Sequence, residues 1–491
     1  MSTTTPTPNA VEYEDIQGLV RFGHGHLKQA SFLLLRVKDR AAARAWLAGV
    51  AVTNAAAHDT RPDTALQIAL TRQGLDALGV PADIVSGFSA EYLAGMASDD
   101  ARSRRLGDVA QNDPSGWLWG GGGLVPHALV MLYAKPELLA GFEQSTLAAC
   151  GTGFELDGRL ATTDMDGTEP FGFVDGISQP DIDWARKREA ADVTQYAYTN
   201  LSCLGEYLLG YPNEYGAYTD RPLVDPARGA ATLLPRAEDA PELADLGRNG
   251  SYLVIRQLRQ NVRSLWQYLD TQASGNEALR RRWAEAMVGR KLQGEPLVGS
   301  DNGLNDFDYQ GDPEGLRCPL GAHVRRANPR NADLPEGPPG LLSRLVRIFG
   351  FNPEALEQDR IASTRFHRLL RRGREYGTEL SIEEAVTTAF DPPETGLHFI
   401  CLGANIARQF EFVQNAWIAG TRFDGLGGEG DPLLGNRQPG PGKSPTDFFS
   451  MPEAGGPDHR LRAMPLFVQV RGGAYFFLPG LRALRFLATV E

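Results

Sequence analysis

An α+β fold with antiparallel sheets and peripheral helices follows from three features of the 491-residue sequence. The chain carries an internal repeat, its apolar runs are of strand length and alternate with single helix-like segments, and turn-forming residues separate them. With 42% hydrophobic and 22% charged residues, it has the apolar material for a large core and is neither disordered nor fibrous.

The repeat appears at an offset of 220 residues, where SFLLLR at 31–36 matches SYLVIR at 251–256 and Trp46 falls on Trp266. In each copy the apolar run precedes a helical segment, 39–49 and 259–269. The first copy continues with a second strand and helix at 66–70 and 72–78; the second copy does so only at 397–402 and 406–417. On this register, 1–240 forms an N-terminal domain and 241–491 a C-terminal domain with a long insertion at 270–396. Long segments inside a compact repeat are usually functional, and this one contains RCPLGAHVRRANPR, so the chemistry is expected there.

Composition narrows the function. With 49 Lys+Arg against 61 Asp+Glu, the net charge of −12 repels phosphate backbones, and no basic stripe offsets it, which makes nucleic acid an unfavourable partner. The opening MSTTTPTPNAVEYED lacks the basic and apolar regions of a secretory leader, and no apolar run approaches membrane-spanning length, so a cytoplasmic location off the membrane is expected. Cys150, Cys203, Cys318 and Cys401 form no CxxC pair; zinc knuckles, disulfide frameworks and c-type haem attachment are not indicated. The surplus of glycine (55) and proline (32) gathers at 119–124, 335–340 and 425–442, which read as surface loops because no Lys-Ser/Thr follows to make a phosphate cradle.

Three segments carry chemistry. In EPFGFVDGISQP, 169–180, Asp175 lies between Gly172 and Gly176 among Phe171, Phe173, Val174 and Ile177. Two readings fit: an Asp that caps a turn, and a carboxylate whose burial suits it to shuttle protons. In CPLGAHVRRANPR, 318–330, His323 stands beside Arg325, Arg326, Asn328 and Arg330. It is either a satisfied polar residue or an imidazole ligand next to a dianionic cofactor. The third segment, 365–377, holds five arginines within ten residues and reads as a solvated basic face. Leu397 and Phe399 beyond it point to one side of a strand, as core or as the wall of a cavity.

In FGFVDGISQP, CPLGAHVRRANPR, RLLRRGREYG and GLHFICLGANIARQFEFVQNAW followed by DPLLG, the chain resembles the dye-decolorising peroxidases. The length fits the longer, cytoplasmic-type bacterial branch. The resemblance implies two ferredoxin-like domains and one non-covalent haem b per chain, held mainly by the C-terminal domain. His323 then matches the proximal iron ligand, Asp175 the distal acid-base residue and Arg371 the distal arginine, chosen over Arg365, Arg368 and Arg372 because LLRRGREYG aligns there. Glu411 falls where the family places a carboxylate on the proximal imidazole. Arg325, Asn328 and Arg330 fall at the porphyrin edge and propionates, and Leu397 and Phe399 on the apolar distal wall. The implied reaction uses hydrogen peroxide to oxidise dyes, phenols and other one-electron donors through a ferryl porphyrin radical. A haem carrier, or a protein that releases haem iron, is the alternative; a homo-oligomer is left open.

Overall fold

Runs rich in apolar, β-branched and aromatic residues form the central strands of one nine-stranded antiparallel sheet in the computed structural model. The structure describes residues 10–57, 60–187, 200–300, 303–330, 363–387, 392–437 and 444–490. The N-terminal half supplies β1 (Gln29–Val37), β2 (Thr64–Leu70), β3 (Ala128–Ala134) and β4 (Phe154–Ala161). They stand in the order β4-β1-β3-β2. Helix α1 (Arg40–Gly49) opens on Asp39, whose side chain accepts from Ala42 N; α2 (Arg72–Leu78) opens on Thr71, which accepts from Gly74 N; α3 (Pro136–Cys150) has proline in its first turn.

The C-terminal half repeats the topology. It supplies β5 (Ser251–Gln260), the short pair β6 (Leu370–Arg371) and β7 (Arg374–Tyr376), then β8 (Gly396–Gly403) and β9 (Val468–Leu478). Their order is β9-β5-β8 with β6 and β7 both on the outer edge of β8. Read within each half, both sheets run fourth, first, third, second, the ferredoxin-like order. The two halves join where β9 meets β2 at Phe477 and Leu70. Helices α4 (Val262–Gln272), α5 (Glu277–Val288) and α6 (His323–Ala327) follow β5, α7 follows β8 as two π-wound stretches, Ala407–Glu411 and Val413–Ile418, and α8 (Leu481–Thr489) ends the fold. Apolar side chains fill both faces of the sheet. No helix among the described residues is long and apolar enough to cross a membrane.

The repeat at offset 220 is therefore a true correspondence of first strands, β1 with β5. The later part of the expected register is corrected. Residues 397–402 lie in the third strand of the second half, equivalent to β3, because β8 is followed by α7 as β3 is by α3. The second strand of that half is the broken pair β6 and β7, so the segment 270–396 contains sheet as well as inserted loops. The arginine-rich segment read as a solvated face is not solvated: Arg365 and Arg368 are buried, and Arg371, Arg372 and Arg374 are half-buried in and around the short strands β6 and β7. Of the glycine- and proline-rich segments expected as surface loops, 119–124 is a turn with positive φ at Gly120, Gly122 and Gly123 that is buried at 119–121 and exposed at 122–124, 425–442 is buried at 429–433, and 335–340 lies outside the described residues.

Candidate active site

α7 meets the second half of the sheet at Phe410 and Glu411, which contact Tyr475 of β9, and leaves a gap beyond them. This gap is a cavity of about 270 Å³, lined on the sheet side by Arg371, Leu397, Phe399, Arg256 and Leu258, and on the α7 side by Phe410, Val413, Trp417 and Ile418. The alternation of β8 sends Leu397 and Phe399 into the cavity while His398, one position between, is buried on the opposite face against Tyr376 at 4.5 Å.

His323 enters at the N-terminus of α6 and lines the cavity. Its Nδ1 lies 2.9 Å from Oδ2 of Asp431, which is fully buried. The other oxygen, Oδ1, accepts the backbone N–H groups of Leu433 and Leu434 at 2.9 and 2.8 Å. With Nδ1 engaged, Nε2 is the nitrogen left for the cavity. Burial alone would depress the proton affinity of His323, but the adjoining Asp431 carboxylate outweighs it and holds the imidazole above its usual value. For Asp431 burial works upward, and His323 together with its backbone donors brings the carboxyl below the ordinary range.

Asp175 and Arg371 face the same cavity. Arg371 Nη1 donates to Asp175 Oδ1 at 2.9 Å, Nη2 donates to Ser178 O at 3.3 Å, and the Arg371 backbone N–H donates to Gln179 Oε1 at 3.0 Å. Each side chain of the pair keeps 29% of its surface open. Burial pushes the Asp175 carboxyl up, but Arg371 and the N–H of Gly176 outweigh it and hold it below the usual range, hence ionised at neutral pH. Of the rival arginines, Arg368 also lines the cavity but donates to Ser202 Oγ at 2.9 Å, and Arg372 turns to the carbonyls of Leu19 and Val20. Arg365 is buried and does not line the cavity.

Comparison with known proteins supplies the family. No protein-family model matches the chain. Over 510 residues it is 26% identical to a dye-decolorizing peroxidase of Mycetinis scorodonius, covering 97% of this chain and 87% of the relative. A multifunctional dye peroxidase of Amycolatopsis is 30% identical over 351 residues, 67% of this chain and 62% of the relative. Among solved structures, a dye-decolorizing peroxidase in complex with 2,6-dimethoxyphenol superposes with a TM-score of 0.72 at 21% identity, over 98% of this chain and all of that one. The chain belongs to the dye-decolorising peroxidase family. It is accordingly a peroxidase.

Three residues that resemblance to the dye-decolorising peroxidases placed around the cofactor lie elsewhere. Glu411 does not meet His323: it is ion-paired with Arg102 and accepts from Tyr475 Oη at 2.9 Å, because it lies where α7 meets the sheet. Asp431 stands in its stead. It opens DPLLG, and an Asp before a Pro-Leu-Leu-Gly turn, with backbone N–H groups converging on its carboxylate, was the available signal. Arg325 is buried away from the cavity, donating to Asp312 Oδ2 at 3.2 Å and to Cys318 O at 2.9 Å. Arg330 is likewise fully buried, with positive φ, its guanidinium on the carbonyls of Asn305 and Phe307 and 3.7 Å from the Phe307 ring centroid. Asn328 does line the cavity. Sequence reasoning missed two cavity cations: Arg256, ion-paired with buried Asp108, and Arg290, which donates to Ser178 Oγ at 2.7 Å and which burial lowers to about 10.

Proposed function

We propose that the chain is a haem b peroxidase in which His323 holds the iron and Asp175 with Arg371 handles peroxide. The observation that carries this is the placement of two polar pairs on one cavity: an imidazole whose Nδ1 is capped by a buried carboxylate, and an ionised carboxylate paired with a guanidinium, with Leu397 and Phe399 between them. Of the two imidazoles that line the slot among the described residues, His367 is stacked on Phe412 with its Nδ1 on the Arg408 carbonyl, which leaves His323 to meet a haem, whose porphyrin brings the remaining iron ligands. Asn328 and the guanidiniums of Arg290 and Arg368, which line the cavity, would meet its edge and propionates, the role expected of Arg325 and Arg330.

When bound, haem supplies the iron at which hydrogen peroxide is reduced and from which one-electron donors are oxidised. Asp175, kept ionised by Arg371, takes a proton from hydrogen peroxide and returns it to the departing oxygen. Arg371 contributes a permanent positive charge next to the oxygen that becomes negative. Asp431 fixes the His323 tautomer and raises the electron density of its ring. Leu397 and Phe399 keep bulk water and large molecules away from the reacting oxygens. Dyes and phenols are the donors this reading assigns, in keeping with the dimethoxyphenol bound by the structural relative. One haem per chain, a two-domain division at about residue 240 and a cytoplasmic, bacterial-type enzyme complete the proposal.

The test is the absorption spectrum of the purified protein mixed with hydrogen peroxide. A Soret band that changes within milliseconds supports the reading, and Asp175→Asn should slow that change about 100- to 10,000-fold. A haem-containing protein whose spectrum ignores peroxide contradicts it.

A further inference from the structure

The loop that presents Asp175 is wound around a second carboxylate. Glu169 Oε1 accepts from Phe173 N at 3.0 Å, and Oε2 accepts from Phe171 N at 3.1 Å and from Gln260 Nε2 at 2.6 Å. The turn is closed by Gly172 N to Glu169 O at 2.7 Å and by Glu169 N to Phe173 O at 2.8 Å, with Gly172 at φ +93°, where a Cβ would be strained. Trp266 of α4 ties Phe171 O from the far side at 3.2 Å. Asp175 projects two residues beyond Phe173, and both carboxylates line the same cavity.

The two differ in one respect. Asp175 has Arg371, whereas Glu169 has no ion-pair partner among the described residues. The charge that acts on it most strongly is Asp175 itself, with Arg371 of β6 behind; β5 offers neutral Gln260 and α4 neutral Trp266. Burial therefore dominates and pushes Glu169 up to about 7, with Asp175 adding to the rise. Gln260 suits both protonation states. Its Nε2 donates to the carboxylate, while its buried Oε1 has no hydrogen-bond partner among the described residues, so a rotation of the amide would let Oε1 accept a carboxyl proton.

We propose that Glu169 is a positioning residue for Asp175: it holds the turn from which Asp175 projects, and its own proton, exchanged against Gln260, tunes the basicity of Asp175. Two carboxyl groups whose surroundings separate their proton affinities are a common form of acid-base site. The proposal rests on the reading of Asp175 given above. With Glu169 ionised, a second negative charge in the cavity makes Asp175 a stronger base and the turn accepts all three donors. With Glu169 protonated, both effects are lost.

The experiment uses haem-loaded protein and hydrogen peroxide. Followed by haem absorbance, the reaction should accelerate about threefold between pH 6 and pH 8 in the parent and be flat in Glu169→Gln. In Gln260→Leu, which removes a donor to the ionised form, the rise should move to higher pH. The infrared C=O band that Glu169→Gln removes, which separates it from the bands of buried Glu206 and Asp108, should vanish over the same range in the parent and at lower pH in Asp175→Asn. A flat parental profile, or a Glu169→Gln rate lowered equally at every pH with the rise retained, overturns the proposal. If Glu169→Gln does not bind haem, the band decides: a midpoint unmoved in both Gln260→Leu and Asp175→Asn overturns it. Parental speed in Asp175→Asn instead overturns the peroxide role of Asp175, while the band still reports on Glu169.

Discussion

The two halves of the sheet share one strand order and differ in what their second helix does. In the first half α3 lies on β3, a strand buried at all seven positions, and Leu139, Phe142 and Leu147 of that helix pack against the core. In the second half, α7 meets the sheet at Phe410 and Glu411 and leaves a gap beyond them over β8, whose exposure alternates, and that gap is the cavity. Identical topology thus yields a closed core in one copy and a site in the other. Equivalent positions diverge accordingly: Arg36 of β1 is half exposed and pairs with Asp157 at 2.7 Å at the surface, whereas Arg256 of β5 is buried in an ion pair with Asp108 at the cavity wall. Trp46 is only partly covered, and Trp266 is buried with its indole N–H on the Asp175 loop. Duplication supplies a scaffold; the inserted segments bearing His323 and Asp431 supply the chemistry.

The largest expected effects separate the two copies. His323→Ala should yield folded protein without a haem absorption band, since the other cavity-lining imidazole, His367, is held by stacking on Phe412 and by the Arg408 carbonyl. Leu132→Ala, in the fully buried β3, should lower stability by about 2–5 kcal/mol while the haem band survives. Chemical denaturation followed by circular dichroism, together with the visible spectrum, checks both. Loss of the haem band in Leu132→Ala at temperatures where the protein stays folded would break the division between core and site.

A smaller effect sharpens the assignment within the second half. Asp431→Asn should weaken haem binding about 10- to 100-fold, the usual result of removing the carboxylate behind a metal-bound histidine. Glu411→Gln should leave it unchanged, because Glu411 serves Arg102 and Tyr475. Haemin titration of the haem-free proteins distinguishes them, and the opposite ranking would restore Glu411 to the proximal role.

Much of this was legible in the sequence. SFLLLR and SYLVIR carry the strand period, and their shared register identified the two first strands. Turn glycines around Asp175 and strand alternation at Leu397 and Phe399 made these three readable from the residues, whereas Arg371 and the role of His323 came from the resemblance. What was hidden has physical causes. The second strand of the second half is two fragments, of two and three residues, interrupted at Arg372 and Gly373, too short to show a period and dominated by arginines that resemble a surface. Glu411 was misplaced because the resemblance assigned it by position in a motif, whereas which carboxylate reaches His323 is decided by the fold, which brings Asp431 there and Glu411 to Arg102 and Tyr475. Arg325 and Arg330 looked like anion binders because charge is visible in a sequence, whereas the partners Asp312, Asn305 and Phe307 become neighbours only on folding.

The smallest expected effect concerns the link between the halves. Asp175 comes from the loop after β4 and Arg371 from β6, so their ion pair joins the two copies across the cavity. The folded-state proton affinity of Asp175 lies below the ordinary carboxylate value of 3.8. The pair therefore contributes stability above that value, and the contribution disappears as pH falls through the lower folded-state value. With nearly a third of each side chain exposed, solvent screening keeps it under about 1 kcal/mol. Asp175→Asn should accordingly shift the urea midpoint slightly at pH 7, and the shift should shrink as pH falls below 3.8 toward the lower folded-state value. A shift of several kcal/mol at pH 7 would mean that the pair is a structural clasp between the halves; a negligible one, beside the large loss of peroxide reactivity, places its value in the chemistry.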